Sequence, residues 1–171
     1  DRDSIISEIK NSGVEYMMNI SASLRSIETS MELAKKYDFI YTSVGVHPSE
    51  TEDLNQKNFK WLKDQVAFEK VKAIGEIGLD YNWNKTGSVY GQDARDIQKK
   101  WFRNQLDLAK ELNLPVSIHS RDAEASTLKI FKDYQEIAGV IHCFSYGIDA
   151  ARAVLDKGLC LGIGGTSTYP S

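Results

Sequence analysis

Hydrophobic positions along the chain switch repeatedly between a helical and a strand-like period. In residues 4–12, Ile5, Ile6 and Ile9 recur at helical spacing and Gly13 supplies a stop. The apolar run from Val14 to Ile20 reads as a strand, and residues 23–37 read as a helix through Leu24, Ile27, Met31 and Ala34. A strand over 40–46 precedes a helix over 58–68 carrying Phe59, Leu62 and Val66. A strand over 71–77 is followed by a long polar loop. The longest helix spans 93–112, with Ile97, Trp101, Phe102, Gln105, Leu106, Ala109 and Leu112 supplying one face. Then come a strand over 115–119, a helix capped by Asp122 and running to about 134, a strand over 139–142, a helix over 148–157 and a strand over 159–162. Strands separated by helices in this way define a parallel α/β sheet.

Parallel sheets gather functional groups at the carboxyl ends of their strands. The chain has three histidines, and each follows such a run: His47 after Ile40–Val46, His119 after Leu114–Ile118, and His142 after Gly139–Ile141. A fourth run, Val71-Lys-Ala-Ile-Gly, leads into an acid, Glu76. Ligands at the ends of several successive strands suit a barrel, whose strand ends ring one mouth. No Gly-rich phosphate turn follows the first strand, which argues against an open doubly wound sheet. A complete eight-unit barrel needs about 250 residues. The fold expected here is therefore α/β, a TIM (β/α)8-type barrel that is incomplete, with about six βα units in a single domain over residues 1–171. One piece is expected before Asp1 and another after Ser171, because six strands fall short of eight, and the opening without an initiator Met fits a piece before Asp1. The first and last strands would then carry open, adhesive edges that favour self-association.

Each motif has a bland alternative. In Gly75-Glu-Ile-Gly-Leu-Asp80, Glu76 and Asp80 share strand parity, and a carboxylate there can bridge divalent ions or serve as a cap or ion-pair partner. The flanking glycines mark a crowded strand end. In Ile118-His-Ser-Arg-Asp122, His119 leaves the strand and Arg121 offers a planar fork for phosphate, or the pair is an ordinary core-edge His beside a capped helix. His142 alone reads equally as a structural residue. His47 either meets a substrate phosphate or is structural. Tyr81, Trp83 and Tyr90, in a long loop over 81–90, can stack on nucleobases or pack on the barrel rim. Gly162-Ile-Gly-Gly-Thr166 offers backbone N–H groups to an anion, or is a turn. Taken together, Glu76, His119 and His142 make an oxygen–nitrogen donor set without thiolate, suited to Zn, Mn or Fe, and to Mg only with further oxygens.

Composition adds boundaries. Apolar residues at 42% and charged residues at 26% describe an ordinary globular protein, and the formal net charge of −3 argues against broad electrostatic binding of nucleic acid. No apolar stretch reaches a membrane span of about 20 residues. Cys143 and Cys160 lie in apolar runs and read as buried, reduced thiols of a cytoplasmic protein.

Val44-Gly-Val-His-Pro48, Ala73-Ile-Gly-Glu-Ile-Gly-Leu-Asp-Tyr81, Leu114-Pro-Val-Ser-Ile-His-Ser-Arg-Asp-Ala123, His142-Cys-Phe-Ser145 and Leu161-Gly-Ile-Gly-Gly165 resemble the TatD-type metal-dependent DNases, which are amidohydrolase-like metallohydrolases. The helix motif Gln98-x-x-x-Phe102-x-x-Gln105-Leu106 also matches. The resemblance implies a two-metal TIM barrel cleaving phosphodiester bonds of DNA, single-stranded or at 3′ ends, with two divalent ions (Mg, Mn or Zn). It implies Glu76 as bridging ligand, His119 and His142 as the remaining ligands of one metal, and all three as the catalytic set. His47 and Arg121 would contact the substrate phosphate. The family's opening Asp-x-His-x-His strand and later Asp are not in this sequence, so weak metal binding and low activity are expected of residues 1–171. Two other readings stay open: the same kind of site hydrolysing an amide, lactone or phosphotriester, and a scaffold relative without catalysis. No obligate protein partner is evident from the sequence.

Overall fold

A computed structural model describes residues 1–82 and 90–168. Six parallel strands form one sheet in sequential order: β1 (Met17–Asn19), β2 (Ile40–Val44), β3 (Val71–Asp80), β4 (Val116–Arg121), β5 (Gly139–Ile141) and β6 (Leu159–Leu161). Six helices alternate with them: α1 (Arg2–Asn11), α2 (Leu24–Lys36), α3 (Gln56–Gln65), α4 (Gln92–Leu112), α5 (Glu124–Phe131) and α6 (Ile148–Leu155). Sequential parallel order with a helix in every crossover is the winding of a βα barrel. Here it forms a half-barrel, in which β1 and β6 each pair on one side.

The core lies between the sheet and its helices. Ile74, Ile77, Leu79 and Ile118 from the strands are fully buried, as are Leu62, Phe102 and Ile27 from the helices. Phe102 of α4 meets Phe131 of α5 edge to face, with centroids 6.3 Å apart. Capping matches the sequence where it is simplest: Ser23 and Asn55 close capping boxes at the starts of α2 and α3.

Four expectations need correction. The strand expected over 14–20 is only three residues long, and Tyr16 beside it is 70% exposed. On α4, Trp101, Phe102, Gln105, Leu106 and Ala109 are buried as expected, but Ile97 and Leu112 face solvent and Gln98 is buried instead, so the buried face is rotated toward Gln98. Asp122 does not cap α5. It adopts φ +51, the helix begins at Glu124 after Ala123, and the Asp122 carboxylate accepts a hydrogen bond from the Asn82 side chain. Cys143 and Cys160 are exposed free thiols rather than buried ones. Apolar neighbours in sequence did not bury them, because Cys160 alternates to the exposed side of a short strand and Cys143, at φ +48, sits in the turn after β5.

Candidate metal centre

Strand β3 carries the centre of the site. It extends to Asp80, three residues beyond the expected end, and its register with β4 shifts between Ile74 and Ile77. Glu76 falls within that irregularity, and Gly78 and Asp80 follow it on the strand face opposite the fully buried Ile77 and Leu79. Gly78 is paired with His119 in register, and no side chain fits there: a Cβ would lie 1.9 Å from the His119 carbonyl oxygen. The same tightness holds at Gly75, where a Cβ would lie 2.4 Å from the Ser117 carbonyl. The expected crowding of this strand end is real.

All three histidines reach one oxygen. Glu76 Oε1 lies 2.7 Å from His142 Nε2, 3.2 Å from His119 Nδ1 and 3.7 Å from His47 Nε2. The rings of His47 and His119 meet at 4.3 Å between centroids, and those of His119 and His142 at 5.3 Å. Donor atoms of His47, Glu76 and His119 fall within 4.8 Å of one another, close enough to share an ion.

The two nitrogens of His119 have different partners. Nδ1 faces Glu76, while Nε2 lies 3.1 Å from Asp80 Oδ2. Asp80 has further support: its side chain accepts a hydrogen bond from Asn82 N–H at 2.9 Å, and its own N–H donates to Gln98 Oε1 at 3.0 Å. A carboxylate holding one imidazole nitrogen fixes the ring and leaves the other nitrogen free to bind a metal. Sequence reading noted the parity of Asp80 with Glu76 but gave Asp80 no role. The three-dimensional pairing with His119 depends on the β3–β4 register, which no local pattern encodes.

His47 lies three residues beyond β2 and heads a 3-10 turn over Pro48–Asp53. Its Nδ1 accepts the backbone N–H of Ser49 at 3.1 Å. Nδ1 also lies 2.8 Å from Ser49 Oγ, so Ser49 holds this side of the ring and leaves Nε2 turned toward Glu76. At 3.7 Å from Glu76 Oε1 that nitrogen is too far for a hydrogen bond, but it stands within the group of donors that could share an ion.

The electrostatics follow from burial and pairing. Burial pushes Glu76 upward, but hydrogen bonds from His119 and His142 outweigh it and hold the carboxyl well below its ordinary range. Asp80 is also held low: burial raises it, and the bonds from His119 and Asn82 prevail. Burial depresses His119, yet the Asp80 and Glu76 carboxylates overcome it and raise the ring to about 9. His142 is raised by its bond to Glu76, against burial. His47 is lowered to about 4 by burial and by the neighbouring His119. Without metal, His119 holds a proton between the Glu76 and Asp80 carboxylates, and the bond to Glu76 favours one on His142 as well. A cation at the same point would replace those protons.

Arg121 ends β4 two residues past His119, on the same strand face, and is exposed. Among the described residues its guanidinium has no ion-pair partner. Tyr81 and Tyr90 are buried and pack into the body of the protein, which takes them away from stacking on bases. Trp83 and the rest of the loop over 83–89 lie outside the described residues. Gly165–Thr168 form a 3-10 turn, and Gly164 sits against the Cys143 sulfur.

A βα half-barrel that gathers a His/Glu cluster at the carboxyl ends of its strands has the layout of a barrel metal centre. The sequence profile described as TatD related DNase matches residues 1–171, and the chain belongs to that family. It is 38% identical over 171 residues to the uncharacterized metal-dependent hydrolase YabD of Bacillus subtilis, covering 99% of this chain and 64% of that protein. It is 35% identical to the 3′-5′ ssDNA/RNA exonuclease TatD of Cronobacter sakazakii (96% of this chain, 61% of that one). It is 36% identical to the deoxyribonuclease Tat-D of Schizosaccharomyces pombe (98% and 56%). The crystal structure of YJJV, a TatD homologue from Escherichia coli K12, superposes with a TM-score of 0.86 at 28% identity, over 99% of this chain and 64% of that one. The chain thus spans less than two thirds of the length of these relatives. Among the described residues no helix is long and apolar enough to cross a membrane.

Proposed function

We propose that this chain carries the metal-binding half of a phosphodiesterase site acting on DNA, releasing nucleotides from 3′ ends of single strands. The observation that carries the reading is the convergence of His142 and His119 nitrogens on Glu76 Oε1, at 2.7 and 3.2 Å, with Asp80 behind His119. The nuclease names of relatives at 35% and 36% identity point the same way. The donor set, two imidazoles and a carboxylate, fits a borderline divalent ion such as Zn or Mn, and takes Mg only with added oxygens.

In this reading Glu76, His119 and His142 would hold the divalent metal. A divalent ion supplies Lewis-acid polarisation of a phosphoryl oxygen and acidifies water. The residues do the rest. Asp80 keeps the Nε2 hydrogen of His119, so that Nδ1 is presented as a lone pair. His47, neutral and held at Nδ1 by Ser49, donates from Nε2 to a non-bridging phosphate oxygen. Arg121 offers its free fork to the same or the neighbouring phosphate. The carboxylate at Glu76, where a lysine-bridged amide or lactone hydrolase would differ, also favours phosphodiester cleavage. The two free, exposed cysteines support placing the protein in the reducing cytoplasm.

The test incubates the chain with 3′-labelled single-stranded DNA and Mn²⁺, beside the Glu76→Gln variant. Slow, metal-dependent release of mononucleotides that vanishes in the variant is expected, slow because the family's opening Asp-x-His-x-His strand and later Asp are not among residues 1–171. No release at any metal concentration, or equal release by Glu76→Gln, would reject the reading.

A further inference from the structure

We propose that Gln98 and Gln105 of α4 are positioning residues for the metal centre, Gln98 acting through Asp80 on His119, and Gln105 through Val46 on His47. The functional side of this claim rests on the reading of the cluster as a metal site.

The two glutamines are seven residues apart, two helical turns, so both fall on the same face of α4. Each is only 1% exposed. A buried amide is costly unless its polar atoms are paired, and an apolar residue would fill either position without that cost. Ile97, next to Gln98, is left 38% exposed. The face turned inward is therefore the one that delivers amides, and what they reach is backbone beside the site.

Gln105 uses both ends of its amide on a single residue. Oε1 accepts Val46 N–H at 2.8 Å, and Nε2 donates to the Val46 carbonyl at 3.2 Å. These two partners also settle which end of the amide is oxygen. β2 ends at Val44, so Val46 lies beyond its ladder, and the Gln105 pair takes the place of strand hydrogen bonds there. The next residue is His47, whose ring stands 4.3 Å from that of His119. Gln98 Oε1 accepts the N–H of Asp80, the last residue of β3, whose carboxylate holds His119 Nε2. Its Nε2 has no partner among the described residues, so the bond to Asp80 is the polar contact that accounts for its burial. One rigid helix of 21 residues thus sets the positions of two different strand ends, and with them the spacing of the two rings.

The test uses the whole chain. In the metal-free protein, the Overhauser effect between His47 and His119 ring protons is expected to be lost in Gln105→Met, while the ring signals of Phe102 and Phe131 keep their shifts. Gln98→Met is expected to weaken Co²⁺ binding about tenfold. Once Asp80 is replaced by alanine, the same change should matter by less than about twofold, since its effect runs through that residue. A merely structural role would lower stability without either selective effect. An undiminished Overhauser effect in Gln105→Met overturns the Gln105 assignment, and equal Co²⁺ losses in both Asp80 backgrounds overturn that of Gln98. Should Gln105→Met not fold, Gln105→Glu keeps the size and the acceptor for Val46 N–H while repelling the Val46 carbonyl, and takes its place. The metal reading is judged separately. If Glu76→Gln leaves Co²⁺ affinity unchanged, that reading fails, and the Overhauser result still decides the positioning of His47.

Discussion

Replacing Gly78 with alanine probes the packing directly beneath the cluster. Gly78 adopts φ +140, a region that L side chains rarely enter, and its register partner is His119. The added Cβ would lie 1.9 Å from the His119 carbonyl oxygen. That oxygen belongs to a strand backbone and cannot swing aside as a flexible side chain would. A comfortable carbon–oxygen contact is about 3.3 Å, so β3 and β4 must open by roughly 1.4 Å. The unfavourable backbone region costs about 1–3 kcal/mol and overpacking about 1–3 more, some 2–6 kcal/mol in all. Against a typical domain stability of about 5–15 kcal/mol, such a loss leaves a marginal fold or none. The same opening would pull His119 from both carboxylates, now 3.2 and 3.1 Å away. Urea denaturation should show an unfolding free energy lowered by at least about 2 kcal/mol, and Co²⁺ titration of any folded fraction should show weakened binding. A variant with the parent midpoint and the parent Co²⁺ affinity would refute the packing argument.

Chelation with EDTA should abolish DNA cleavage, and Mn²⁺ or Zn²⁺ should restore it. Glu76→Gln should lower Co²⁺ affinity by at least about 100-fold, beyond the range of outer-shell changes, as read by calorimetric titration. In the metal-free chain, His119 is raised from 6.5 to about 9, so its stabilisation is complete below pH 6.5 and lost as pH rises toward 9. His47, lowered to about 4, acts in the opposite sense: its contribution is present above pH 6.5 and lost as pH falls through 4. Unfolding free energies measured by urea in EDTA should therefore peak near pH 6.5 and decline on the alkaline side with a slope of up to about 1.4 kcal/mol per pH unit for His119, a slope that His119→Gln should reduce. Phe102→Ala, at a fully buried position against Phe131, should cost about 3–5 kcal/mol by the same denaturation assay.

Much of the architecture was legible in the chain because strand and helix periods are local signals. Every expected strand and helix is present, with ends displaced by a few residues where hydrogen bonding to neighbours set the boundary. β3 is the clearest case: its apolar pattern weakens after Ile77, yet pairing with β4 carries it to Asp80. Misreadings came where burial was inferred from neighbours in sequence. Cys143 and Cys160 sit in apolar runs but on exposed backbone, and Ile97 lost its expected burial to Gln98.

By itself, the sequence determined the alternating βα order, the strand-end placement of Glu76, His47, His119 and His142, and the family to which the chain belongs, since each depends on residues adjacent or regularly spaced along the chain. Only the tertiary structure decided that three imidazoles surround a single oxygen of Glu76, that Asp80 grips the far side of His119, that Ser49 holds the far nitrogen of His47, and that two buried glutamines reach the site from behind. Those distances are fixed by strand register, by the irregularity in β3 and by the rotation of α4. All three arise from contacts between segments far apart in the chain.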